Sequence, residues 1–138
     1  MSDSPAATPQ RTIRVVAAVL EQDGRYLITQ RRSTAVLPLM WEFPGGKVEP
    51  GETDGAALKR EVMHRLGAEI ECGKLISFVS HPYEHYAVDL FLYECHLVKE
   101  TLESRAVNAF KWVMSSDFDQ YPFTPADEAS MNKLLGVS

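Results

Sequence analysis

The chain has 138 residues, 45% of them hydrophobic and 24% charged, which predicts one globular domain with one sizeable core. Its formal net charge of -5 argues against a surface for duplex nucleic acid or an anionic membrane, because both require a basic field. The longest apolar run, Val15 to Leu20, is far shorter than the roughly 18 residues of a membrane helix. The first ten residues also lack the features of a secretion signal, so we expect a cytoplasmic protein.

The first part of the chain predicts a tail and a hairpin. Residues 1–11 are expected to be a flexible tail, since they are rich in Ser, Pro and Ala, and residues 12–138 to form the single domain. Apolar segments at 11–20 and 25–30 flank the turn-forming residues Asp23 and Gly24. This pattern predicts a β-hairpin.

The rest of the chain predicts strands around one helix, with a second helix at the end. Thr53 or Asp54 can cap a helix that runs to Leu66 and ends at Gly67. Ser115 or Ser116 can cap a single later turn. The remaining elements are three strands at 69–80, 86–98 and 110–114 and a helix that opens at Thr124 and Pro125, runs to Leu135 and ends at Gly136. This order predicts an α/β sandwich.

Five residues of types that are common in active sites and binding sites are assigned no functional role. Cys72 and Cys95 lie alone in strand-like segments without ligand spacing, which predicts reduced packing thiols. His81, Tyr83 and His85 lie in a bend between strands, where isolated histidines are more often surface or packing residues.

The centre of the sequence carries a spaced motif. It consists of a Gly, five residues, a Glu, seven residues, and then Arg-Glu-apolar-x-x-x-x-Gly-apolar, supplied here by Gly46, Glu52, Arg60, Glu61 and Gly67. Together with the flanking segments 41–46 and 124–128, this motif resembles that of the Nudix hydrolases of the MutT type. The resemblance implies the Nudix fold, an α/β/α sandwich around a mixed β-sheet, and hydrolysis of nucleoside triphosphates to monophosphate and pyrophosphate.

Three positions of the family's metal site differ in this chain. In the family, carboxylates on the motif helix hold magnesium together with the carbonyl of a loop glycine. Two of these glutamates fall on His64 and Arg65, and a further acid falls on Ala106. The resemblance therefore implies at most a weak metal site, formed by Gly45 and Glu61.

The remaining catalytic residues implied by the resemblance are Glu61, Glu52 and Arg60. Mg²⁺ is the expected cofactor if the protein is active, and no cofactor is expected otherwise. Arg65 either contacts nucleotide phosphates or bonds to Glu61 and closes the site. The alternative is an ordinary solvated i,i+4 ion pair without a ligand.

The base-binding part of the site matches the family more closely. By resemblance, Arg31, Phe43 and Asp127 bind the ligand, as do Gly45 and Gly46 in the loop. Asp127 has a second interpretation as an acid in the first turn of a helix, and Phe43 as a core residue.

Three functions remain open. The first is a Nudix-fold protein that binds a nucleotide or related phosphorylated ligand with impaired catalysis. The second is an active Mg²⁺-dependent pyrophosphohydrolase acting on 8-oxo-dGTP or CTP. The third is a ligand-free protein-interaction module, with a protein as its partner.

Overall fold

The computed structural model describes residues 11–134. None of the helices in this range is long and apolar enough to cross a membrane. The predicted tail, except Arg11, and the predicted end of the last helix lie outside the described residues. The elements in chain order are β1 Arg11–Val19, β2 Glu21–Gln22, β3 Arg25–Gln30, β4 Trp41–Glu42, β5 Gly45–Lys47, α1 Asp54–Leu66, β6 Ile70–Pro82, β7 Tyr86–Leu97, β8 Ala109–Met114, a 3-10 helix Ser115–Gln120 and α2 Pro125–Leu134.

The strands form two sheets, and β1 lies inside the first one. That sheet has the order β5-β1-β7-β6, in which β1 and β7 are parallel and the other pairs are antiparallel. The second sheet contains β2, β3 and β4, with β8 paired to β3. The sheet that contains β1 is therefore mixed, as the resemblance implied.

The predicted hairpin is confirmed only next to its turn: the strands pair on either side of Asp23 and Gly24, and the Leu27 N–H donates to the Leu20 carbonyl oxygen at 3.0 Å, but the pairing does not continue along β1. β3 pairs with the short β2, whereas β1 pairs with β5 and β7. The run Val16 to Val19 is buried at every position, because both faces of β1 are covered. A two-stranded hairpin would have left one of these faces in water.

The two helices cover opposite faces of the first sheet, which confirms the predicted sandwich. Val16 and Ala18 pack with the α1 residues, whereas Ala17 and Val19 pack with the α2 residues. The buried apolar residues of α1 are Ala57, Leu58, Val62 and Leu66. Full burial of a Leu or Val side chain contributes about 1.5–3 kcal/mol, so this face of α1 is a main source of stability.

The ends of α1 follow from local sequence. The Thr53 side chain accepts a hydrogen bond from the Ala56 N–H at 3.2 Å, and Gly67 ends the helix with φ of 63°. Arg14 Nη2 donates to Asp54 Oδ2 at 2.7 Å, and the Tyr93 hydroxyl also bonds this carboxylate. These contacts attach the first turn of α1 to β1 and β7.

The later elements agree with the predicted segments to within about two residues, and β1 begins at Arg11, one residue before the predicted domain start. The predicted cap at Ser115 or Ser116 is wrong. The 3-10 helix has Met114 at its N-cap position and no capping hydrogen bond from a side chain. Pro125 opens α2 as predicted.

Candidate functional site

The glycine pair of the motif forms β5 and allows close approach to β1 and α1. A Cβ atom at Gly45 would lie 2.0 Å from the Val16 carbonyl oxygen. A Cβ atom at Gly46 would lie 2.3 Å from Cδ of Glu61. Both positions therefore require glycine, and Gly46 allows the Glu61 carboxylate to lie directly against the loop.

Glu52 and Arg60 form a bidentate ion pair behind this loop. Arg60 Nε donates to Glu52 Oε2 at 2.7 Å and Nη2 to Glu52 Oε1 at 2.9 Å. Nη2 also donates to the Lys47 carbonyl oxygen at 2.9 Å, and the Glu49 N–H donates to Glu52 Oε1 at 3.0 Å. The hydrogen bond from Arg60 lowers the pKa of Glu52 to about 2 and raises the pKa of Arg60. The pair thus fixes the loop to the helix.

Glu61 is buried, and both of its carboxylate oxygens accept hydrogen bonds from arginines. Arg60 Nη1 donates to Oε2 at 3.2 Å, and Arg65 Nε donates to Oε1 at 3.1 Å. The predicted contact between Arg65 and Glu61 is therefore present. It is not the solvated surface pair of the alternative interpretation, because the side chains of Arg65 and Glu61 are only 24% and 12% exposed.

A second acid, Glu42, extends this arrangement and was missed by the sequence analysis. Arg31 Nη1 lies 3.2 and 3.3 Å from the two Glu42 carboxylate oxygens, and Arg65 Nη1 lies 3.6 Å from Oε2. Burial raises the pKa of Glu42, and the two arginine charges oppose that rise. Charges therefore alternate from Arg31 through Glu42 and Arg65 to Glu61.

His64 and Ala106 occupy positions outside this charged arrangement. His64 is exposed, and neither residue lies among those that line the cavity described below. The N–H of Ala106 donates to the Arg65 carbonyl oxygen at 3.1 Å, so the loop packs on the last turn of α1. Glu103, the acid nearest to Ala106 in sequence, pairs with Arg105 at 2.8 Å instead of turning towards Glu61.

Asp127 lies at the other side of the site and is 7% exposed. Its Oδ1 accepts a hydrogen bond from the Phe43 N–H at 3.0 Å, and its Oδ2 accepts one from the Thr124 hydroxyl at 2.7 Å. Burial, followed by the charge of Glu42, raises the pKa of Asp127 to about 7. Asp127 is thus more than a first-turn helix acid, because it also bonds the segment between β4 and β5.

A cavity of about 610 Å³ joins these groups. Its lining includes every ligand-binding residue that the sequence analysis named: Arg31, Phe43, Gly45, Gly46, Arg65 and Asp127, together with Glu61. The Phe43 ring also belongs to an aromatic cluster with Phe118 and Phe123, so its interpretation as a core residue holds as well. Glu52 and Arg60 do not line the cavity and support Glu61 from behind.

The bend between β6 and β7 also contributes to the cavity, which the sequence analysis did not predict. Tyr83, His85 and Tyr86 line it. The rings of Tyr83 and Tyr86 are stacked with centroids 5.2 Å apart, and the Tyr83 hydroxyl accepts a hydrogen bond from the Ala126 N–H at 3.2 Å. Three aromatic residues within four positions were the available signal. The position of Tyr83 also involves its hydrogen bond to α2, which is distant in sequence.

Comparison with known proteins places this geometry in a family. Residues 15–133 match the model of the NUDIX domain. The CTP pyrophosphohydrolase of Escherichia coli K12 is 37% identical over 119 residues, which cover 85% of this chain and 87% of that protein. The 8-oxo-dGTP diphosphatase of Haemophilus influenzae is 29% identical, with 91% and 93% of the two chains covered.

Solved structures agree with this assignment. The solution structure of the E. coli ORF135 protein has a TM-score of 0.78 and 32% identity, and the match covers 92% of this chain and 91% of that one. A MutT protein from Methanosarcina mazei Go1 shares the fold with a TM-score of 0.83 at 18% identity, covering 94% and 97%. The chain therefore belongs to the Nudix family and is of the MutT type.

Proposed function

We propose that this chain binds a nucleotide or a related phosphorylated ligand and that its hydrolytic activity is impaired. In this proposal the phosphate end of the cavity, defined by Gly46, Lys47, Glu61 and Arg65, receives the phosphate groups. The base end, defined by Phe43, Thr124 and Asp127, receives the base. Relatives named for CTP and 8-oxo-dGTP support a nucleotide as the ligand.

The observation that carries the proposal is the position of Arg65. Its Nε bonds Glu61 Oε1 at 3.1 Å, so the one helix carboxylate retained at the family's metal site is already paired with a guanidinium. Among residues 11–134, no group of three or more His, Cys, Asp or Glu residues could hold a metal ion. Magnesium prefers several oxygen ligands in near-octahedral geometry, and the residues present do not fit it.

An active pyrophosphohydrolase is the second candidate, and one observation favours it. Glu52 and Arg60 keep their bidentate pair, and Glu61 remains buried against Gly46. A divalent ion that displaced Arg65 from Glu61 would meet the Glu61 carboxylate in its place beside Gly46. In this case Mg²⁺ is the cofactor and CTP or 8-oxo-dGTP the substrate. In either case the free thiols of Cys72 and Cys95 fit a reducing compartment such as the cytoplasm.

The test compares binding with turnover on the same protein. Purified chain is incubated with CTP, 8-oxo-dGTP and the common nucleoside triphosphates in Mg²⁺ or Mn²⁺, with release of pyrophosphate as the readout. Binding is followed by calorimetry under the same conditions. We expect binding without turnover. Turnover that disappears in Glu61→Gln would contradict the proposal and support the active enzyme.

A gain of function provides the complementary test. The triple variant His64→Glu, Arg65→Glu, Ala106→Glu restores a carboxylate at each altered position. We expect this variant to release pyrophosphate in Mg²⁺ while the unchanged protein does not. A matched control, Lys59→Glu, Glu69→Gln, alters charge at exposed positions on or beside α1 and should remain silent.

A further inference from the structure

The side chain of Arg65 has hydrogen-bond donors that no residue in the described part of the chain uses. A guanidinium carries five N–H donors, one on Nε and four on its two Nη groups. Nε is engaged by Glu61, whereas Nη1 lies 3.6 Å from Glu42 Oε2, an ion-pair distance beyond a hydrogen bond. Neither Nη group makes a hydrogen bond to any residue between 11 and 134. Arg65 lines the cavity, so these donors are available to a ligand.

The guanidinium is also held in place before any ligand arrives. Glu61 fixes its Nε, and Glu42, itself fixed by Arg31, lies on its other side. The carbonyl oxygen of Arg65 accepts hydrogen bonds from the N–H groups of Arg105 at 3.0 Å and Ala106 at 3.1 Å. A group that is already ordered loses less conformational entropy when it binds a ligand.

Arg65 is one of the cations that balance the acidic side chains around the cavity. Four cationic side chains line it: Arg11, Arg31, Lys47 and Arg65. Four acidic side chains oppose them: Glu42, Glu49, Glu61 and Asp127. When all of these groups are ionised, the lining is neutral with Arg65 present and net acidic without it. A net acidic cavity repels phosphate unless a divalent cation is added.

From these observations we propose that Arg65 is the built-in cation of this site, and that nucleotide phosphate binds through the N–H donors of its Nη groups without a divalent ion. Arginine suits this role because its planar fork can make two parallel hydrogen bonds to phosphate oxygens. The inference rests on the proposed function and deepens it. The guanidinium takes the part that magnesium plays in the family, and it supplies charge and donors but no metal-bound water.

The first test requires no variant. Calorimetry measures CTP binding to the unchanged protein in EDTA and in Mg²⁺, with inorganic tripolyphosphate as a second probe that reports the phosphate end alone. We expect the CTP affinity to be the same in both conditions within about twofold. Affinity that appears only with Mg²⁺ overturns the inference and leaves the proposed function standing. Absence of binding in both conditions overturns the proposed function as well.

The second test changes Arg65 itself. Because hydrogen bonds to charged groups are among the stronger ones, we expect Arg65→Gln to weaken CTP and tripolyphosphate binding in EDTA about 10- to 100-fold. Arg65→Lys keeps the positive charge but loses the planar guanidinium. Its affinity should therefore lie between those of the unchanged protein and Arg65→Gln. The matched control is Lys59→Gln, which removes a positive charge from an exposed position of α1 outside the cavity and should bind like the unchanged protein. Equal binding by the unchanged protein and Arg65→Gln overturns the inference.

A third measurement tests the inference with a different variant, in case Arg65→Gln does not fold. Arg65→Glu adds a carboxylate beside Glu61 and Glu42, and free Mn²⁺ in its presence is measured by electron paramagnetic resonance. We expect Arg65→Glu to bind Mn²⁺ at least about tenfold more tightly than the unchanged protein, because carboxylates provide hard oxygen ligands. Equal Mn²⁺ affinity in the two proteins would contradict the idea that Arg65 stands where the cation would be.

Discussion

Behind the proposed phosphate end of the cavity Glu52 pairs with Arg60, whereas at the proposed base end Asp127 is buried and accepts hydrogen bonds from neutral donors. The two carboxylates each accept hydrogen bonds, yet their pKa values move in opposite directions, to about 2 for Glu52 and to about 7 for Asp127. The pKa values differ because a hydrogen bond from Arg60 dominates at Glu52, whereas burial dominates at Asp127. A guanidinium stabilises the charged form, while burial beside Glu42 destabilises it.

Glu42 lies between the two ends and shares features of both. It contacts the guanidinium groups of Arg31 and Arg65, as an acid at the phosphate end would. Burial nevertheless raises its pKa, and its charge adds to the rise at Asp127. The comparison indicates that Glu52 stays ionised at neutral pH, whereas Asp127 can change its protonation there.

The largest expected effect comes from a substitution in β5, the strand whose residues line the cavity. Gly45→Ala places a Cβ atom 2.0 Å from the Val16 carbonyl oxygen, and a backbone atom in a central strand cannot move away easily. We expect a loss of about 4 kcal/mol in the free energy of unfolding, measured by urea denaturation. The control is Gly55→Ala in α1, where no atom lies within 4 Å and alanine favours the helix by up to about 1 kcal/mol. Similar stability of the two variants would show that β5 can shift away from β1 to make room for the added Cβ atom.

The ends of α1 could be predicted from the sequence, because the caps at Thr53 and Gly67 each involve residues within four positions. The requirement for glycine at Gly45 could not, because the atom that excludes a side chain there belongs to Val16 on β1. Pairing of β1 was not readable. Its partner β7 lies more than 70 residues away, and alternation of apolar residues cannot choose between a neighbouring strand and a distant one.

The role of Glu42 shows the same limit at the site. Its partners Arg31 and Arg65 come from a loop and from a helix, and no spacing rule connects the three residues. For Arg65 the sequence could predict the bond to Glu61, since i and i+4 lie on one helix face. It could not predict that this pair would be buried at the side of a cavity.

The next effect should distinguish the base end by its dependence on pH. Because the pKa of Asp127 is raised from an ordinary 3.8 to about 7, the folded state binds more protons than the unfolded state between these values. The free energy of unfolding should therefore fall as pH rises through this window, by at most about 1.4 kcal/mol per pH unit. Asp127→Asn can still accept the Phe43 hydrogen bond and donate to Thr124, so its stability should depend less on pH.

Urea denaturation between pH 4 and pH 8 compares the two proteins, with Asp119→Asn as the control. Asp119 is exposed, and its replacement should leave the pH dependence unchanged. Parallel pH profiles for the unchanged protein and Asp127→Asn would place the proton uptake on Glu42 instead. Glu42, and not Asp127, would then be the acid whose pKa differs most from that of Glu52.

The smallest effect concerns Glu52, which is the acid with the opposite shift. Its lowered pKa means that its contribution to stability is complete above its ordinary value of 4.5 and is lost as pH falls towards about 2. Glu52→Gln removes this charge and turns an amide N–H₂ towards Arg60, which has only donors to offer. Since the group lies near solvent, we expect a small loss of stability at neutral pH and faster hydrogen exchange at the Glu49 amide. Glu69→Gln, an exposed change just beyond α1, is the control. If exchange in residues 47–52 is the same in Glu52→Gln and in the unchanged protein, the loop is held by β5 and the glycine contacts alone, and the phosphate end does not depend on its ion pair for order.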